Sequence, residues 1–133
     1  MTNSLRTLVV DDELYVRQLI PALIAQEGLT CDTAEDGLNA LTKCFEYDYQ
    51  LIITDWHMPE MDGVNFIEHI RNVAGYQDIP IIILTSDTNS ERNIHIGGFP
   101  EIDWVSKSMS AEKIAKYLNQ RVDEIRQNIQ RNQ

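Results

Sequence analysis

The chain has 133 residues, 43% of them hydrophobic, and its 21 acidic residues against 11 Lys and Arg give a formal charge of −10. That length fits one domain whose core needs no metal or disulfide staple. The charge opposes phosphate backbones and anionic lipid surfaces, so direct binding to nucleic acid or membrane is not expected.

Leu5 to Val10 opens the chain as an apolar, β-branched run, and Glu13 to Glu27 follows with apolar positions at helical spacing. Pro21 falls inside that helix, removes the bond to the Arg17 carbonyl and should kink it. The strand-like runs Leu29 to Ala34, Tyr49 to Thr54, Pro80 to Thr85 and Asp103 to Ser106 come next, separated by helical patterns over Gly37 to Glu46 and Gly63 to Asn72 and a weak one near Ser90 to Ile96. Asn89, Ser90, Asn93, Gly97, Gly98 and Pro100 predict that this fourth helix is short or irregular. A last helix starts at Ala111. The longest apolar stretch, Ile79 to Leu84 with Pro80 inside it, is far short of the roughly 20 residues that cross a bilayer. No secretory pattern opens the chain, so a cytoplasmic location is expected. Cys31 and Cys44 match no zinc or redox spacing and read as reduced, buried thiols.

Strict alternation of strand and helix implies five parallel strands with helices on both faces, an α/β fold. In such sheets ligands bind beyond the carboxyl ends of the strands. Those ends carry Asp11 and Asp12 after the first strand, Asp55 after the third, Thr85 after the fourth and Lys107 after the fifth. Three carboxylates so close repel one another unless a cation sits among them, and hard oxygen ligands suit Mg²⁺. With a hydroxyl and an ammonium beside them they suit phosphoryl transfer.

These residues resemble a known family. Asp11-Asp12, the string Asp55-Trp56-His57-Met58-Pro59-Glu60-Met61-Asp62-Gly63, Thr85 thirty residues after Asp55 and Lys107 twenty-two after Thr85 are similar to the CheY-like receiver domain of bacterial two-component response regulators. The resemblance covers about residues 5 to 120 and implies the flavodoxin-like strand order 2-1-3-4-5. It implies a phosphorylation-dependent switch rather than an enzyme with a separate substrate, one that assists its own phosphoryl transfer and dephosphorylation. Asp55 would accept the phosphoryl group from a sensor histidine kinase or phosphotransfer protein. Asp11, Asp12, Asp55 and the backbone carbonyl of His57 would hold Mg²⁺; Lys107 would pair with Asp55 or the phosphoryl group; Thr85 would follow the phosphoryl group. Trp104, three before the Lys, stands where an aromatic switch residue is expected, and the side chains of His57 and Asp87 stand where phosphate lifetime is set.

The chain departs from the family in one place near the site. Ser108 follows Lys107 where a proline with a cis bond is usual, and a cis non-proline bond costs about 2.5–4 kcal/mol, so the turn is either rebuilt in trans or held strained.

The last stretch, Asn119 to Gln133, carries three Arg and two acids, and Leu118, Val122, Ile125 and Ile129 form a heptad-like seam. We therefore divide the chain into a receiver domain over 1–120 and a helical extension over 121–133, whose seam reads as a frayed end, a homodimer contact or a lead into a further domain. Two other functions fit less well. A flavodoxin-like cofactor site needs a phosphate-cradling first loop, whereas Asp11-Asp12-Glu13 repels phosphate. Haloacid-dehalogenase-type phosphatases need a second Asp two residues past the nucleophile, where His57 stands. The remaining alternative is a receiver-like interaction module that works without phosphorylation.

Overall fold

The five apolar runs become β1 (Leu5–Val10), β2 (Leu29–Ala34), β3 (Leu51–Asp55), β4 (Ile81–Thr85) and β5 (Ile102–Ser106) of a computed structural model. They form one sheet in the order β2-β1-β3-β4-β5, and every neighbouring pair is parallel. The structure describes residues 4–58, 61, 63–86 and 101–132. The weak fourth helix, Asp87, and Pro59, Glu60 and Asp62 of the central string lie outside the described residues.

The central strands explain their own composition. β3 and β4 are buried at every position, which is why they read as unbroken Ile-rich runs rather than as alternating patterns. Edge strands β2 and β5 keep several half-exposed positions.

Four helices are described: α1 (Leu14–Leu23), α2 (Gly37–Glu46), α3 (Gly63–Arg71) and α4 (Ala111–Arg131). Phe66, Ile67 and Ile70 of α3 and Ala40 and Cys44 of α2 pack on one face of the sheet with Leu8, Ile52 and Ile83. Val16 and Ile20 of α1 and Ile114, Leu118, Val122 and Ile125 of α4 pack on the other with Val9, Ile53 and Leu84. The Asp36 side chain caps α2 by accepting from the Asn39 N–H at 2.8 Å. At Gly37 an added Cβ would lie 3.0 Å from Cβ of Met61, so the start of α2 reaches the loop after β3 only because the residue is glycine.

Two helices differ from their sequence patterns. α1 ends at Leu23, two residues past Pro21, instead of running bent to Glu27. Donors on α4 meet the segment: Asn119 Nδ2 reaches the Leu23 carbonyl at the end of α1, and Arg126 Nη2 the Glu27 carbonyl in the loop before β2, both at 2.9 Å. The Leu118–Ile129 seam packs against the sheet and α1 of its own chain. Leu118, Val122 and Ile125 are buried in the core beside α1, and Ile129 packs against the same cluster, so these side chains are consumed inside the monomer. α4 is continuous from its Ser110 cap, whose Oγ accepts from the Lys113 N–H at 3.2 Å, through to Arg131. None of the helices in the described residues is long and apolar enough to cross a membrane.

Deleting the Leu118 side chain to Ala should lower the unfolding free energy by about 2–5 kcal/mol in a urea titration. A variant as stable as its parent but of lower molecular mass in solution would instead assign the seam to a dimer.

Candidate functional site

Strand register builds the site. Val10 pairs with Thr54, Asp55 with Leu84, and Thr85 with Ser106, so β1, β3, β4 and β5 stop level. Asp11 and Lys107 are the next residues on their chains and emerge beside Asp55 and Thr85.

Asp11 is fully buried. Its N–H donates to the Ala34 carbonyl at 3.1 Å, its carbonyl accepts from Arg17 Nη1 at 2.9 Å, and its Oδ1 accepts from the Glu13 N–H at 2.9 Å. Asp55 is 7% exposed, and its Oδ1 accepts from the Trp56 N–H at 2.8 Å. The Lys107 Nζ lies 2.9 Å from Asp11 Oδ2, 3.3 Å from Asp55 Oδ1 and 3.3 Å from Glu13 Oε1. Asp12 is exposed, yet Asp11, Asp12 and Asp55 each present a carboxylate oxygen within 4.8 Å of the others. Thr85 is buried at the end of β4, and its carbonyl accepts from the Lys107 N–H at 2.8 Å.

Lys107 reaches the acids without a cis bond, since every peptide bond among the described residues is trans. Two serines rebuild the turn. The Ser106 hydroxyl accepts from the Ser108 N–H at 3.1 Å and pairs with the Ser108 hydroxyl at 2.6 Å, while the Met109 N–H closes on the Ser106 carbonyl at 3.2 Å.

Charge and burial conflict here. Burial pushes the Asp11 carboxyl above its ordinary value, against the Glu13 N–H and Lys107. Asp55 is pushed up by burial and then by the charge of Asp11, with Lys107 and the Trp56 N–H opposing. Burial also works against the Lys107 ammonium, but Asp11 and Asp55 outweigh it and hold its pKa above the ordinary range.

The donor set fits a hard divalent cation. Asp11 Oδ2 is buried, and the Lys107 ammonium meets it at 2.9 Å. Three carboxylates this close, one of them fully buried, carry more negative charge than one ammonium balances, which is the environment Mg²⁺ satisfies.

A family model described as "Response regulator receiver domain" matches residues 7–119. The chain belongs to that family. This receiver domain is 25% identical over 120 residues to the chemotaxis protein CheY-3 of Vibrio cholerae, covering 90% of this chain and 92% of that protein. It is 29% identical over 109 residues to the phosphate regulon transcriptional regulatory protein PhoB of Escherichia coli, covering 82% of this chain and 48% of PhoB. Among solved structures, CheY4 of Vibrio cholerae superposes with a TM-score of 0.75 at 30% identity, over 88% of this chain and 98% of that one. The response regulator TrrA of Thermotoga maritima, in complex with Mg²⁺ and BeF, superposes at 0.72 with 32% identity, over 87% and 97%. The chain is therefore a receiver domain of two-component signalling with a five-stranded flavodoxin-like fold.

The fold brings Asp11, Asp12, Asp55 and Lys107 together and ends β4 with Thr85 beside them. His57 follows two residues after Asp55 with an exposed side chain, and Asp87 lies outside the described residues. Trp104 is half-buried and its ring rests on that of Trp56, with centroids 4.9 Å apart and planes tilted by 56°. The sequence carried no signal for this ring pair, because it joins residues whose proximity only the fold sets, whereas Ser106 and Ser108 stand two apart in the chain and their contact needed only the turn geometry. Adjacency in the run Asp11-Asp12-Glu13 did hint at Glu13.

Cys44 is buried and Cys31 only half-buried, and burial pushes both thiols up to about 12, which disfavours the thiolate.

Asp55→Asn keeps an acceptor oxygen for Lys107 and Trp56 while removing the charge. In metal-free buffer it should be more stable than the parent. The folded-state pKa of Asp55 is raised above its ordinary 3.8, so its favourable contribution is fully present below that value and is lost as pH rises through the folded-state titration. The stability advantage of Asp55→Asn should therefore grow with pH across that window and then level off. Denaturant titrations at a series of pH values check this, and a pH-independent difference would refute it.

Proposed function

We propose that this receiver domain is a phosphorylation-dependent switch in which Asp55 accepts a phosphoryl group from a histidine kinase or phosphotransfer protein. The observation that carries this reading is the contact of one ammonium, Lys107, with both Asp11 and Asp55 at the level ends of three strands. An Asp55 oxygen attacks the phosphorus of a phosphohistidine. The new O–P bond forms as the N–P bond breaks, and its electron pair stays on the imidazole nitrogen. The Lys107 ammonium neutralises charge on the phosphoryl oxygens, already aimed by its Thr85 backbone bond. The Thr85 hydroxyl, on the same level, donates to the arriving group.

Asp11, Asp12 and Asp55, with the His57 backbone carbonyl, are the groups that would hold Mg²⁺, and TrrA supports this by carrying Mg²⁺ and BeF in its own structure. The chemistry it supplies is neutralisation of the phosphoryl oxygens.

The Asp55 region communicates with Trp104 through Trp56. The Trp56 backbone holds Asp55 while its ring supports Trp104. Reorganisation around Thr85 on phosphorylation shifts this pair and alters the face that a downstream protein reads. His57 and Asp87 tune the lifetime of the phosphoryl group. The site accelerates its own phosphorylation and hydrolysis and processes no separate substrate.

Incubation with acetyl phosphate and Mg²⁺ should add the mass of one phosphoryl group to the intact protein, and none to Asp55→Asn. Lys107→Met should slow the gain by about a hundredfold. Absence of any gain in the parent would favour the interaction module that works without phosphorylation. Trp104→Ala should leave the rate of gain intact but abolish the difference in partner affinity between the two forms.

A further inference from the structure

Lys107 has three N–H bonds and three carboxylates around it. Those of Asp11 and Asp55 are buried, whereas the Glu13 side chain is 60% exposed. Glu13 therefore contacts the ammonium from the solvent side, the side from which a phosphoryl donor approaches. Its N–H is fixed by Asp11 Oδ1 at 2.9 Å, which presents the residue to the site while its carboxylate reaches Lys107 at 3.3 Å.

Phosphorylation turns the Asp55 carboxylate into an acyl phosphate, so its single charge beside the ammonium is replaced by the two of the phosphoryl group, which then compete with Asp11 and Glu13 for the Lys107 N–H bonds. Asp11 is desolvated and loses most by being left unpaired, whereas Glu13 returns to water at little cost. We propose that Glu13 is a positioning residue that occupies Lys107 until a phosphoryl group arrives and is then displaced from it; this rests on Asp55 being the acceptor. Glu13 and Lys107 also line a cavity of about 200 Å³ together with Val16, Leu84 and Ile114. Displacement of Glu13 opens the polar end of this cavity between α1 and α4.

The test uses beryllofluoride at saturating Mg²⁺, with binding followed by the fluorescence of Trp56 beside Asp55. Glu13→Gln removes the charge at constant size, and Glu13→Asp keeps the charge but shortens its reach. Both should bind beryllofluoride about fivefold tighter than the parent, with an unchanged end point. In acetyl phosphate kinetics both should lower the half-saturating concentration and leave the maximal rate unchanged. The thermal midpoint of the ligand-free protein should move little, which separates this role from a structural one. Equal affinity in the parent and Glu13→Gln overturns the inference alone. Tightening in Glu13→Gln without tightening in Glu13→Asp overturns the contact as the cause. Binding in Glu13→Gln but not in the parent supports it strongly, and binding in neither overturns it together with the Asp55 reading.

Discussion

The ammonium of Lys107, set against the buried carboxylates of Asp11 and Asp55, is the interaction on which the site depends. Two acids in a poorly solvated corner repel each other and lose hydration, and a single cation offsets both effects. The fold delivers that cation from the sheet edge. β5 runs level with β4, the Lys107 N–H locks to the Thr85 carbonyl, and the serine turn directs the chain into α4. The site is thus one electrostatic unit assembled from four strands, and no segment of the chain could hold it alone.

Much of this was legible in the sequence because it rests on local signals. The limits of α2 and the start of α4 coincide with the sequence pattern, since Asp36 and Ser110 are strong caps in front of amphipathic runs. The ends of β3 and β4 were legible because apolar runs buried on both faces finish on a polar residue, Asp55 and Thr85. The spacing of Asp11, Asp55, Thr85 and Lys107 pointed to the site for the same reason.

What was not legible depends on contacts between distant residues. A heptad-like seam looks the same whether it meets another helix of the same chain or another chain, and only the packing of Val122 and Ile125 beside α1 decides it. Ser108 in place of proline suggested strain, yet the neighbouring hydroxyl of Ser106 supplies a hydrogen-bonded trans turn. The last carbonyl of the shortened α1, that of Leu23, is met by Asn119, 96 residues away. Trp104 shows the same effect: its neighbour Trp56 lies two strands away in the sheet, across β4.

The tie between the end of α1 and the middle of α4 has a structural consequence. Asn119 fastens the carboxyl end of α1 and Arg126 the loop that follows it, while the amino end of α1 starts beside Glu13, which contacts the ammonium. α1 is thus held at both ends, to α4 at one and to the rim of the acidic corner at the other, so the two helices covering this face of the sheet share a boundary with the site.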